Sequence, residues 1–206
     1  LYRVTYVGDE STELVQSTSS ASPARQTRHK LESFHGTQDP QAISVAWPYL
    51  ADNDRFIRFA ARTAIEHQPV ETWSDKALNE PDPAKQVEAL LALARVTGVC
   101  PQHRSSDTPP VDLAMQAKLL DAVHAIDMAR LDLLPQLTLQ RTIQIILNRF
   151  GRPEDARVQQ LIAQLDPLFP AESPELNWLL CETLAWLQSP TAAAKAMALI
   201  AAAPSQ

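Results

Sequence analysis

Leu50-Ala51-Asp52-Asn53-Asp54-Arg55-Phe56-Ile57-Arg58-Phe59-Ala60-Ala61-Arg62-Thr63-Ala64-Ile65 decides the fold of this chain. It reads as L-x-D-x-D-x-x-[VI]-R-x-A-A-x-x-A-[LI] without a mismatch. Leu50 is expected to close one helix, and Asp52 and Asp54 to accept hydrogen bonds from the free N–H groups in the first turn of the next. Ala60, Ala61 and Ala64 lie three and four residues apart, on one face, where small side chains let neighbouring helices approach closely.

Composition agrees. Four glycines against sixteen prolines, with 6% aromatic residues in 206, suit short helices punctuated by proline better than a sheet with glycine turns. Gly36, Gly98 and Gly151 each follow a helix-like run, at the place where a left-handed residue closes a helix. Asp39-Pro40, Asp82-Pro83, Ser173-Pro174 and Ser189-Pro190 pair a capping side chain with a proline suited to the first helical position. These signals predict helices over about 24–35, 40–50, 54–67, 70–79, 83–97, 112–126, 135–150, 154–166, 174–188 and 190–203.

The period suggests stacking. Leu50, Asp54 and Ile65 recur as Leu78, Asp82 and Leu93, a step of 28 residues, although no arginine stands where the second copy would match Arg58. The loop 101–112 then shifts the phase. The expectation is an all-α chain: an α-solenoid of about five antiparallel helix pairs over residues 24–206, preceded by a short extended segment.

In residues 1–8 the large side chains of Tyr2, Val4 and Tyr6 alternate with Arg3, Thr5 and Val7, a β period, and a Ser/Thr-rich stretch follows to residue 23. A lone strand has no partner, so residues 1–23 are expected to be the last strand of a preceding domain plus a linker. The net charge of −6 and pI near 5.3 work against nucleic acid or an anionic membrane as a general partner. The longest small-apolar run, 192–203, contains Lys195 and falls short of the roughly 20 residues that span a bilayer. Cys100 and Cys181 are expected to be unpaired thiols.

The signature stretch resembles a HEAT repeat of the short type also found in phycobilisome-lyase-like proteins, which implies that the solenoid over 24–206 is HEAT-like. With the opening residues 1–6, Arg28-His29, Glu32, His35, Asn148-Arg149-Phe150-Gly151-Arg152-Pro153, Leu168-Phe169-Pro170 and Glu175-Leu176-Asn177, nearly the whole chain resembles the middle segment of large planctomycete and verrucomicrobial proteins. Those proteins join a β-propeller similar to sugar dehydrogenases, HEAT-like helices and often a c-type haem domain. The resemblance implies an exported, periplasmic or extracellular, parent in which residues 1–8 end the propeller. Its partners here would be the flanking domains, with another protein as a further candidate. It brings no catalytic residue to this segment, and no Cys-x-x-Cys-His occurs to attach haem. No cofactor or metal is expected.

Arg55, Arg58 and Arg62 form a ridge about 60° wide on a helix, flanked by Phe56, Phe59 and Ile65. One reading is an anion or nucleic-acid contact, as HEAT-like DNA glycosylases make with arginine and aromatic residues. A bilin-lyase-like enzyme is the other catalytic use of such a repeat. The favoured reading is structural: Asp54 pairs with Arg58, Glu66 pairs with Arg62, and Arg58 bridges adjacent repeats. Trp47 and Trp73 flank this helix, and an indole exposed at an edge there would be a binding anchor. The default for large aromatics at helical spacing is the core, and that is the expectation for all four, Trp47, Trp73, Trp178 and Trp186, with the edge anchor as the alternative for Trp47 and Trp73.

His29, Glu32 and His35 spread over about 120° of helix and match neither common zinc motif, so capping or packing is expected of them. His67 is expected to complement the last carbonyls of its helix. Asp75, Glu80 and Asp82 beside Trp73 are read as capping and solvated carboxylates. The expected function is a non-catalytic scaffold or protein-interaction and spacer module.

Overall fold

The computed structural model of the chain describes residues 2–13 and 22–202. Within them every regular element is helical. The α-helices are α1 (Pro23–Glu32), α2 (Ala42–Ala46), α3 (Arg55–Glu66), α4 (Ser74–Leu78), α5 (Pro83–Thr97), α6 (Leu113–Ala125), α7 (Leu133–Phe150), α8 (Asp155–Leu165), α9 (Pro174–Leu187) and α10 (Ala192–Ala202). No described helix is long and apolar enough to cross a membrane.

Capping side chains set the starts of α1, α3, α5, α6 and α9. The Asp54 carboxylate accepts from the Phe56 N–H at 2.8 Å, Asp82 from Ala84 at 3.0 Å, and the Ser173 hydroxyl from Leu176 at 3.2 Å. Asp52 acts one step earlier than expected: it accepts from the Asp54 N–H at 2.8 Å, which shapes the turn before α3 rather than its first turn. Asp39 and Ser189 likewise bond Gln41 and Thr191, just ahead of α2 and α10.

Two expected helices are interrupted. In the 40–50 segment α2 ends at Ala46 and Trp47–Ala51 continues as a 3-10 turn. Pro48 supplies no N–H and crowds the preceding turn, so the α-helical ladder stops there. In the 70–79 segment, Trp73 leaves helical geometry at φ −141° between the 3-10 turn Val70–Thr72 and α4. Its indole turns inward, 1% exposed, and donates to the Gln68 carbonyl at 3.3 Å.

Gly36 and Gly151 take positive φ, 75° and 90°, as expected after a helix, although the ψ of −176° puts Gly151 outside the left-handed helical region. Gly98 does not take positive φ: its value is −89°. A Cβ there would lie 2.6 Å from Cβ of Arg149 and 2.8 Å from Cε2 of Phe150, so glycine is required by the close approach of the α5 and α7 ends.

Packing runs from α1 to α3, α3 to α5, α5 to α7 and α7 to α9, with α4 and α6 against α5 and with α8 and α10 against α9. Ala60, Ala61 and Ala64 are at most 2% exposed, which lets α3 sit close to its neighbours as expected. One core joins Leu31 near the start to Leu187 and Ala192 near the end. The last helix is tied down by Asp166, whose carboxylate meets the Lys195 ammonium at 2.7 Å, the Ser189 hydroxyl at 2.9 Å and the Thr191 hydroxyl. The Lys195 ammonium, helped by the two hydroxyls, holds that carboxyl below its ordinary value.

No strand forms over residues 2–8, which are exposed along their length. The side-chain bonds within residues 2–13 are local, such as the Glu10 N–H to the Tyr6 hydroxyl at 3.3 Å. A β period without a second strand has no ladder to join. Leu1, most of the expected linker (14–21) and residue 203 of the last expected helix lie outside the described residues. Deleting residues 1–21 while retaining Ser22, which caps α1 at the Arg25 N–H, should leave the melting temperature nearly unchanged. A fall of many degrees in a thermal scan would show that the segment docks on the helices.

Candidate interaction surface

On α3, Ile57, Ala60, Ala61, Ala64 and Ile65 face the core. The 3.6-residue period therefore places Arg55, Phe56, Arg58, Phe59 and Arg62 on the other side, where with Glu88 of α5 they line a depression of about 380 Å³. The expected ridge exists. Its arginines, however, are not equivalent.

Arg58 is anchored. Its Nη1 donates to the Asp52 carbonyl at 2.6 Å and the Asn53 carbonyl at 3.2 Å, closing the turn before α3, while Nε lies 3.6 Å from Glu88 Oε1. Arg62 Nη1 donates to Glu88 Oε2 at 3.0 Å. Glu66 stands 3.4 Å from Arg62 Nε and accepts from Arg95 Nε at 2.7 Å. Arginine and glutamate thus alternate as Arg58, Glu88, Arg62, Glu66 and Arg95 across the α3–α5 seam. The Glu88 side chain is only 9% exposed and those of Arg58 and Arg62 13% and 16%, so these pairs are shielded from most solvent screening. The expected Asp54–Arg58 pair does not form, because Asp54 is engaged at the helix cap. The expected Glu66–Arg62 pair does.

Arg55 is different. Among the described residues it meets no carboxylate, and its guanidinium lies 5.1 Å from the Phe56 ring centre. Arg62 lies similarly over Phe59, at 5.5 Å, and both phenylalanines are 56% exposed. A second depression of about 260 Å³ shares Arg58 and Glu88 and runs on to Leu134 and Thr138 of α7.

The two other candidates for the surface lie in the core. Trp47 and Trp73 are 5% and 1% exposed. Trp47 donates to Glu80 Oε2 at 2.6 Å, with the Lys76 ammonium 4.3 Å from its ring centre. Interruption of the two flanking helices turns both indoles inward, so neither is an edge anchor. Glu80 also accepts from the Asp82 N–H at 3.0 Å, and Asp82 caps α5, so these carboxylates serve local structure.

Trp178 and Trp186 depart from the core expected of them, being 74% and 46% exposed. The buried face of α9 is Leu176, Leu180, Thr183, Leu184 and Leu187, and the tryptophans stand off it. Trp186 lines a depression of about 310 Å³ with Arg141, Gln144 and Asn148 of α7 and Glu182. Arg152 lies 5.7 Å from the Trp186 ring and donates to the last carbonyls of α9.

His29 and Glu32 pair with each other at 3.1 Å, while His35 turns away to the Ala60 carbonyl at 2.9 Å. His67 caps the C-terminus of α3, its ring 6.1 Å from that of His35. Among the described residues, no three His, Cys, Asp or Glu side chains gather as a metal site would require. Both cysteines are free. Hydrogen bonds from His103 and Gln102 lower the Cys100 thiol below its ordinary value.

Sequence reasoning missed Glu88, the pivot of the seam. It was visible as a lone carboxylate inside the apolar run 87–94, where burial demands an ionic partner. Comparison of the chain with protein-family models, with curated proteins and with solved structures finds no match.

Proposed function

We propose that this chain is a HEAT-like α-solenoid segment that works as a non-catalytic scaffold and protein-interaction module inside a larger exported multidomain protein. The observation that carries the reading is the Glu88 bridge. Two of the three ridge arginines are consumed in joining α3 to α5 and are not free to meet a ligand. Further support comes from the step of 28 residues: Asp54 and Asp82 both cap helices, and Ile65 and Leu93 are both fully buried. The order of packing, α3 on α5 on α7 on α9, supports the reading, since stacked antiparallel pairs bring every second helix into contact. The mechanism is shape: stacked pairs hold the neighbouring domains, in the resembled proteins a propeller and a haem domain, at a fixed separation and offer a curved surface to a partner.

Unfolding in denaturant beside a DNA titration tests this against a glycosylase-like use of the ridge. Arg58→Ala is expected to cost about 1–3 kcal/mol, because it releases two carbonyls and leaves Glu88 short of a partner. Arg55→Ala, with no such bonds, should stay within about 0.5 kcal/mol of the parent. If Arg58→Ala unfolds like the parent while abolishing tight, salt-dependent DNA binding, the scaffold reading fails.

A further inference from the structure

The ridge depression is lined by three arginines and one glutamate in a chain whose net charge is −6. Glu88 bridges Arg58 and Arg62, and Glu66 takes a second contact from Arg62. The cation left over is Arg55. It is the first residue of α3, a position where the helix dipole disfavours a cation and favours an anion. The neighbouring Asp54 carboxylate is engaged at the Phe56 N–H. Beside this cation stand Phe56 and Phe59, one helical turn apart, each more than half exposed and each roofed on one side by a guanidinium.

Resting on the interaction-module reading, we propose that this depression is the docking site for an acidic peptide segment of a partner protein. A carboxylate of the segment forms a charge-assisted pair with Arg55, and an adjacent apolar side chain packs on Phe56 and Phe59. Among the described residues Arg55 is the cation of this depression that meets no carboxylate, and with two exposed rings beside it that matches the chemistry. A nucleic-acid backbone presents a charge at every nucleotide and draws on a series of free cations, whereas Arg58 and Arg62 already hold protein carboxylates. The space, about 380 Å³, suits a side chain or two rather than an extended strand of nucleotides. The guanidinium fork suits a carboxylate because two parallel N–H donors meet its two oxygens.

The probe is a short fluorescein-labelled peptide with a central leucine pair flanked by glutamates, titrated into the whole chain and followed by anisotropy. Parallel titrations use its glutamine counterpart and a short DNA duplex. The acidic peptide should bind, and Arg55→Ala should weaken it about tenfold, the loss expected for one charge-assisted pair. Phe56→Ala and Phe59→Ala should weaken it too, and the glutamine peptide should bind no better than the Arg55→Ala variant binds the acidic one. Melting temperatures serve as the folding control, because all three side chains stand at the surface.

Equal binding by parent and Arg55→Ala, or none by the parent, overturns the proposal. So does preference for the duplex, which would assign the ridge to nucleic acid. Concentration-dependent dimerisation removed by Phe56→Ala overturns it as well, by assigning the face to a second copy of the chain. Loss of stability in Arg58→Ala without peptide binding leaves the scaffold reading standing and removes this surface alone.

Discussion

Glu88→Ala is expected to destabilise the chain by about 3–5 kcal/mol, the cost of removing one partner from a shielded ion pair and leaving the opposite charges uncompensated. The size of the effect follows from position. Glu88 meets Arg58 and Arg62 with both oxygens from the middle of α5, and all three side chains are largely covered. Removing it leaves two guanidinium groups side by side on α3, Arg58 without a carboxylate and Arg62 with Glu66 alone. Arg58 keeps its bonds to the Asp52 and Asn53 carbonyls, so the turn before α3 should persist while the α3–α5 packing loosens. Amide hydrogen exchange should therefore accelerate more in α1 and α3 than in α7 and α9. Glu88→Gln, which keeps shape and an acceptor but not charge, should fall between parent and alanine variant.

Trp73→Ala should cost a similar amount, about 3–5 kcal/mol, because a fully buried indole leaves both a cavity and lost transfer energy. The indole N–H goes with the ring, so the Gln68 carbonyl loses its donor as well. Gln68 itself is 5% exposed and ties the residues after α1 to α3: its amide donates to the Thr37 and Ala64 carbonyls and its oxygen accepts from the Asp39 N–H. Trp178→Ala, on the exposed side of α9, should change stability by no more than about 0.5 kcal/mol. Denaturant midpoints at unchanged slope separate these outcomes, and equal losses for the two tryptophans would contradict the burial described above.

Local chemistry made most of the helical content legible. The span 83–97 was readable to the residue because Asp82-Pro83 and Gly98 punctuate it on both sides. Even so, the reason for Gly98 was hidden: a glycine after a helix reads as a left-handed cap, and only the position of Arg149 and Phe150, some fifty residues away, makes it a packing requirement. The tryptophans of α9 misled for a different reason. That helix is apolar around most of its circumference, so periodicity names no buried face, and only its neighbours select one. Trp73 lies in the core as its residue type suggests, but the departure to φ −141° that turns it there cannot be read from the helical period of 70–79.

In the candidate surface the α3 ridge was readable from spacing, since all three arginines lie on α3. Its electrostatics were not. The decisive carboxylate, Glu88, is 30 residues from Arg58 and 26 from Arg62, too far for any helical-spacing rule to join them. The pairing read from i, i+4 spacing, Asp54 with Arg58, lost to the stronger local claim of an N-cap on the same carboxylate.

The central claim is that Arg58 and Glu88 work together to join α3 to α5. A double-mutant cycle measured by denaturant unfolding tests it most directly, using Arg58→Ala, Glu88→Ala and the double variant. The double variant is expected to lose less than the sum of the singles, with a coupling energy on the order of 1–3 kcal/mol. Losses that add to within about 0.3 kcal/mol would show that the two residues act independently, and would contradict the reading of this seam as the clamp that makes the chain a scaffold.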